Sequence, residues 1–126
     1  MNNLDLSLYL VTDRAMSLGR PIEHIVEKAV QGGATIVQLR EKDCSGLQFY
    51  HLALRLKEIL KGTGVPLIIN DRIDIAMAAD ADGVHIGQGD LPYMEARRLL
   101  GPDKIIGLSI ESRQQLEIAA QYQGLD

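Results

Sequence analysis

The chain has 126 residues, 46% hydrophobic and 24% charged, with a formal net charge of −4; this is a globular composition long enough for a core, without the basic field that would hold nucleic acid or an anionic membrane surface. A single cysteine, Cys44, excludes an intrachain disulfide, no apolar stretch approaches the length of a membrane span, and 4% aromatic content without Trp argues against a base-stacking surface. The opening residues Met1-Asn2-Asn3-Leu4-Asp5 lack the basic and apolar regions of a signal peptide, so a reducing, cytoplasmic compartment is expected.

Leu6 to Val11 is an apolar run suited to a first strand. Pro21 stands where a first helical turn accepts it, and Ile22, Ile25, Val26, Ala29 and Val30 follow with the spacing of a buried helical stripe, ended by Gly32-Gly33. Thr35 to Leu39 is β-branched and apolar, a second strand. Ser45 with Gln48 forms a capping-box pattern ahead of the stripe Phe49, Leu52, Ala53, Leu56 and Leu60, which Gly62 and Gly64 close. Pro66 leads into a strand over Leu67 to Ile69, then a short helix with Ile73, Ala76 and Met77 on one face. Gly83 to Ile86 is a fourth strand. Pro92 opens a helix carrying Ala96, Leu99 and Leu100, and Gly101-Pro102 ends it. Ile105 to Leu108 is a fifth strand, and Ser112 caps a last helix with Leu116, Ala119 and Ala120 on its buried side. Alternating strands and helices with short connections describe one domain over residues 1–126, a parallel sheet covered by helices.

Polar clusters follow directly on three of these strands: Gln38-Leu39-Arg40-Glu41-Lys42, Asn70-Asp71-Arg72 and Gly87-Gln88-Gly89-Asp90. In such a fold, groups at strand C-termini gather on one rim, where chemistry is done. Strand alternation sets Ile36, Gln38 and Arg40 on one face and the apolar Val37 and Leu39 on the other, under the helices. Arg40 and Lys42 suit an anionic group, while Asp71 and Asp90 suit a hard cation such as Mg2+. Each residue also has a plainer role open to it. The charged run after Leu39 can be a solvated loop, and Asn70-Asp71 and Asp90 can cap the helices that follow. His85 can be a satisfied core histidine, Ser109 can begin a turn, and His24 and His51 fall on helix surfaces. Cys44 has no activating neighbour, and the three histidines are too scattered for a zinc site. Together, on one rim, the clusters point to a Mg2+–diphosphate site.

At this point the residues resemble a known family. Tyr9-Leu10-Val11-Thr12-Asp13, Gln38-Leu39-Arg40-Glu41-Lys42, Ile69-Asn70-Asp71-Arg72, Gly83-Val84-His85-Ile86-Gly87-Gln88-Gly89-Asp90 and Ile106-Gly107-Leu108-Ser109 are similar, in order and spacing, to the motifs of thiamine phosphate synthase, or thiamine-phosphate pyrophosphorylase. The resemblance implies an α/β fold, part of a TIM (β/α)8 barrel with about five of the eight units. It implies a transferase of thiamine biosynthesis that couples hydroxymethylpyrimidine diphosphate to thiazole phosphate and releases diphosphate. Diphosphate would leave first, and the thiazole nitrogen would capture the pyrimidine-methyl cation. Carried over by position, the run Gln38, Leu39, Arg40, Glu41 and Lys42 would bind the pyrimidine diphosphate together with Asn70 and Ser109, and Asp71 and Asp90 would hold Mg2+.

The departure is length, since such barrels run to about 250 residues and ~200 is near their lower limit. In the family the thiazole phosphate site comes from later strands. The expectation is a pyrimidine-diphosphate and Mg2+ half-site: either the chain is a fragment of a longer enzyme, or its open edges call for a homo-oligomer or a complementing chain. Two other readings stay open: a thiazole tautomerase-like paralogue, and a non-catalytic truncated domain that binds ligand or self-associates. The tautomerase branch tends to carry a His shortly after the fifth-strand Ser, where this chain has Glu111.

Overall fold

The computed structural model describes residues 3–126; Met1 and Asn2, part of the N-terminal stretch considered above, lie outside the described residues. The elements are β1 (Tyr9–Val11), α1 (Ile22–Gln31), β2 (Ile36–Leu39), α2 (Gly46–Leu60), β3 (Leu67–Asn70), α3 (Ile73–Ala78), β4 (Gly83–Ile86), α4 (Tyr93–Leu100), β5 (Ile105–Leu108) and α5 (Arg113–Ala119), with a 3-10 turn at Ala15–Ser17. Each strand pairs parallel with the next, in the order β1-β2-β3-β4-β5. That order has no reversal point, which separates it from a doubly wound sheet. The helices pack against one face of the sheet, as in a (β/α) barrel, so the sheet is the expected open arc of five units.

Alternation sorts the two faces. Val37, Leu39, Leu67, Ile69, Val84, Ile86 and Ile106 join one apolar core with Ile22 and Val26 of α1, Phe49, Leu52, Ala53 and Leu56 of α2, Ile73 and Ala76 of α3, and Tyr93 and Ala96 of α4. Each fully buried aliphatic side chain there contributes roughly 1.5–3 kcal/mol through removal from water. The alternate residues turn to the other face. By register Val11, Gln38, Ile68, Gly83 and Ile105 form one row, and Asn70, His85 and Gly107 form the row above it. The expected capping box is present: Ser45 Oγ accepts from Gln48 N at 3.1 Å and Gln48 Oε1 accepts from Ser45 N at 3.1 Å.

Several boundaries and faces differ from expectation. β1 begins at Tyr9 instead of Leu6; the Leu8 carbonyl still accepts from Thr35 N at 2.8 Å, but its N–H goes to the Thr35 hydroxyl at 3.0 Å, and Leu6 and Leu8 are exposed. In α3, Ile73 and Ala76 are buried as expected, but Ile75 takes the third buried place and Met77 is 49% exposed, in a helix too short for periodicity to fix its rotation. On α4, Tyr93 and Ala96 face the core while Leu99 is exposed. On α5 only Ala119 is buried, and Leu116 is 57% exposed. α5 follows the edge strand, so among the described residues only one side of it meets the sheet. Among them, too, no helix is long and apolar enough to cross a membrane.

The register makes a glycine obligatory at position 83. A Cβ there would stand 2.1 Å from the Ile105 carbonyl oxygen and 2.7 Å from the Ile105 Cβ. Gly83→Ala is expected to lower stability by about 1–3 kcal/mol, the usual result of overpacking a tight interior, measured as a shift of the urea midpoint. An unchanged midpoint would contradict the β4–β5 register.

Candidate functional site

The three polar clusters do converge on the C-terminal rim of the sheet. Gln38, on β2, is 4% exposed, and its Nε2 donates to the Tyr9 hydroxyl at 3.1 Å. Burial pushes the Tyr9 phenol up, against the smaller effect of that bond, so it stays protonated at neutral pH. Arg40 leaves the strand beside β1. Its backbone N donates to the buried Thr12 Oγ1 at 3.0 Å, and its Nη1 lies 3.6 Å from Asp13 Oδ2. Lys42 reaches across to β3 and forms an ion pair with Asp71. The two residues between them turn inward. Leu39 is fully buried in the helix-facing core, and the Glu41 carboxylate is held by Arg14. Any contact of Leu39 or Glu41 with a ligand on the rim is therefore through the backbone.

Asp71 sits in the left-handed region at φ 62, with its N–H donated to the His85 carbonyl at 2.8 Å. A non-glycine residue seldom adopts this conformation, and a short acidic side chain is among those that tolerate it. The helix-capping alternative is not realised, because the residue flanking α3 is Arg72 and no side chain caps that end. The Asp71 carboxyl instead faces the rim. Burial pushes it up, but contacts with Lys42, Asp90 and Asn70 outweigh burial and leave it below its ordinary value. Asp90 does not cap α4 either. Its Oδ2 accepts from Gly87 N at 2.7 Å and closes the loop after β4. Asp71 and Asp90, from neighbouring loops, thus come together with Asn70 and Lys42.

On the far side of this group, Ser109 is tied by two bonds to β4 and by one to the loop that follows it. Its N–H donates to the Ile86 carbonyl at 2.9 Å, its carbonyl accepts from Gln88 Nε2 at 2.8 Å, and its Oγ lies 2.9 Å from His85 Nε2. His85 lies in β4 and is hydrogen-bonded, as expected, but on the open face and not in the helix-facing core. It is half-buried, and its ring occupies the space where a Cβ at Gly107 would fall, 2.5 Å from Nδ1. Burial holds the imidazole below its ordinary value, opposed by the nearby Asp71 charge. The parity that sets Gly107 and Ser109 on the open face also sets His85 there, so the information was present in the sequence. Tyr9, Thr12, Asp13 and Arg14 are further contributors that entered the sequence reading only as part of a motif or not at all. His24 and His51 are exposed, as expected.

Two open cavities flank the sheet. One of about 790 Å3 lies at the N-terminal end of the strands, beside Pro66, Asp82 and Ile105, and holds none of the clustered residues. The other, of about 820 Å3, lies between the tip of β2 and α2, lined by Asp13, Arg14, Arg40, Glu41 and Lys42 with Gln48, Leu52 and Arg55, and holds none of Asn70, Asp71, Asp90 and Ser109. Beside it the rim brings together Arg40 and Lys42, the two carboxylates from adjacent loops, amides from Gln38 and Asn70, and the hydroxyl of Ser109. Such a set can bind an anion through Arg40 and Lys42 beside a hard cation on the carboxylates.

Comparison with known proteins agrees with this chemistry. The model of the family described as thiamine monophosphate synthase matches residues 8–126. The thiamine-phosphate synthase of Syntrophomonas wolfei is 54% identical over 129 aligned residues, covering 99% of this chain and 62% of the relative. That of Clostridium acetobutylicum is 56% identical over 115, covering 91% and 54%. Among solved structures, the thiamine phosphate pyrophosphorylase from Pyrococcus furiosus superposes with a TM-score of 0.82 at 33% identity, over 90% of this chain and 55% of that one. The chain spans between half and two thirds of the length of these relatives.

The depressed Asp71 carboxyl sets a pH dependence. A group whose folded value lies below its unfolded one contributes stability above the ordinary carboxylate range and loses it as pH falls through the folded value. Asp71→Asn keeps the shape and the tolerance of a left-handed backbone but removes the charge. In urea titrations it is expected to be less stable than wild type at neutral pH, with the difference closing in acid. A difference that persists unchanged below the carboxylate range would assign the effect to shape instead of charge.

Proposed function

The chain belongs to the thiamine monophosphate synthase family, and from that premise we propose that its rim binds hydroxymethylpyrimidine diphosphate with Mg2+ and takes part in coupling it to thiazole phosphate, with release of diphosphate. The observation that carries this reading is the meeting of Lys42, Asp71, Asp90 and Asn70 at the ends of β2, β3 and β4. Asp71 and Asp90 offer oxygen donors alone, and among the described residues no third carboxylate, His or Cys completes a cage around them. That suits Mg2+, which keeps few protein carboxylates and fills its shell with phosphate oxygens and water. When bound, the ion acts as a Lewis acid on the phosphate oxygens and neutralises their charge.

The chain's own residues do the rest. Arg40 is a planar fork for a pair of phosphate oxygens, and Lys42 a mobile point charge. Both form ion pairs within the chain, Arg40 with Asp13 and Lys42 with Asp71. An arriving diphosphate takes over the two cations. Gln38, Asn70 and Ser109 hydrogen-bond the pyrimidine or its diphosphate. As the bond between the pyrimidine methylene and the diphosphate oxygen breaks, negative charge grows on the leaving group beside Arg40 and Lys42, where it is stabilised as it forms. The thiazole nitrogen then bonds to the methylene carbon. Ionisation needs no general base.

In the family the thiazole phosphate is bound by later units of the barrel, and the five units described here supply the pyrimidine-diphosphate side. Among the described residues the outer edges of β1 and β5 are unpaired, open to further units of a barrel, a second copy or a complementing chain.

Calorimetric titration of the chain with the pyrimidine diphosphate tests the reading. Binding is expected with Mg2+ and to be strongly reduced under chelation. Arg40→Ala is expected to weaken diphosphate binding by about 10- to 100-fold, the value of charged hydrogen bonds worth roughly 1.5–3 kcal/mol, and to leave the free pyrimidine alcohol nearly unaffected. Equal losses for the two ligands would remove Arg40 from the phosphate, and no binding by wild type would favour the non-catalytic domain. Asp71→Ala is expected to abolish the Mg2+ dependence while the chain stays folded by circular dichroism; unfolding would return Asp71 to a structural role.

A further inference from the structure

At the tip of β2 lies a buried carboxylate for which the chemistry above has no use. The Glu41 side chain is 3% exposed, and it receives Arg14 Nε at 3.1 Å and Arg14 Nη2 at 2.6 Å, a fork on both carboxylate oxygens. Taking a carboxylate out of water is costly, and a buried pair is weak evidence for stability, since an apolar residue of similar volume often serves the core as well. Glu41 therefore calls for a reason beyond packing.

Geometry supplies one. Past β2 the side chains continue to alternate: Leu39 goes under the helices, Arg40 does not, Glu41 goes in, and Lys42 goes out to Asp71. Drawing Glu41 inward fixes the parity of its two cationic neighbours. The backbone is pinned one residue earlier as well, by Arg40 N on the buried Thr12 Oγ1 at 3.0 Å. Both anchors come from the segment after β1, and that segment is held by its own bonds. Asp13 Oδ1 accepts from Met16 N at 3.1 Å, and the Arg14 carbonyl accepts from Ser17 Oγ at 2.6 Å. The 3-10 turn at Ala15–Ser17 thus fixes the chain from which Arg14 reaches inward.

We propose that Arg14 and Glu41, assisted by Thr12, are positioning residues that hold residues 40–42 so that Arg40 and Lys42 present their charges to one diphosphate. Neither touches the ligand with its side chain; they act through the backbone between the two cations. The inference rests on the diphosphate reading above and adds to it the residues that aim the cations.

Glu41→Gln in the 126-residue chain is the primary test, because it is nearly isosteric and leaves Arg14, whose side chain is 60% exposed, free to be solvated. Titrations with Mg2+ and the pyrimidine diphosphate, and separately with the pyrimidine alcohol, are run at a temperature where urea denaturation shows the variant folded. The expected result is a loss of about tenfold or more for the diphosphate, with the alcohol unchanged and the loss much smaller when Arg40→Ala is already present. Should Glu41→Gln fail to fold, Arg14→Lys carries the test, since it keeps the charge and removes the fork; the same selective loss is expected. Wild-type affinity for diphosphate in a folded variant would overturn the proposal, as would equal losses for both ligands. Absence of binding by wild type itself would remove the functional reading and this inference together, whereas wild-type binding with indifferent variants would remove this inference alone.

Discussion

Side-chain alternation along five parallel, in-register strands is the constraint on which everything else in this molecule depends. One parity packs Val37, Leu39, Ile69, Val84, Ile86 and Ile106 under the helices. The other lines the open face with Gln38, Asn70, His85 and Gly107. Because neighbouring strands run the same way, residues of like parity stand side by side, and the polar ends of all strands reach a common rim. A one-residue slip in any strand would exchange the two sets. The close packing of Gly83 on Ile105 and of the His85 ring over Gly107 shows how tightly the register is specified.

Charge on the rim is paired within the chain itself. The chain carries a net charge of −4, so its affinity for an anion has to be local. Arg40 is balanced by Asp13, Lys42 by Asp71 and Arg14 by Glu41. The first two pairs are partly exposed and are worth little as stabilisers. Their cations can be surrendered to a competing anion at small cost. The third is buried on the carboxylate side and would be costly to break. The arrangement therefore separates exchangeable contacts, suited to binding, from a permanent one, suited to holding shape.

The strand tips also depend on one another in sequence. Thr12 and Arg14 beyond β1 fix the tip of β2; Lys42 from that tip meets Asp71 beyond β3; the Asp71 N–H is held by the carbonyl of His85 in β4; and His85 holds Ser109 beyond β5. Each loop is braced by its neighbour around the arc. The proposed site is consequently a property of the assembled sheet, and no single loop contains it.

Much of this was legible in the amino-acid order. Apolar runs, Gly and Pro punctuation and the Ser45–Gln48 box determined five strand–helix units, because local periodicity and capping chemistry act over a few residues. Strand parity fixed which side of β2 faces the helices, and the polar clusters marked the rim. Tertiary structure alone decided the rest. Asp71 and Asp90 had equal claims to be helix caps until the backbone turned them away from α3 and α4. Glu41 stands among charged neighbours in the sequence, yet Arg14, 27 residues before it, draws it inside. The exposed faces of α3, α4 and α5 were set by which neighbours lay against them. Apart from Asp90, which Gly87 three residues before it turns away from the helix, the deciding partner is distant in the chain, and only folding brings it near.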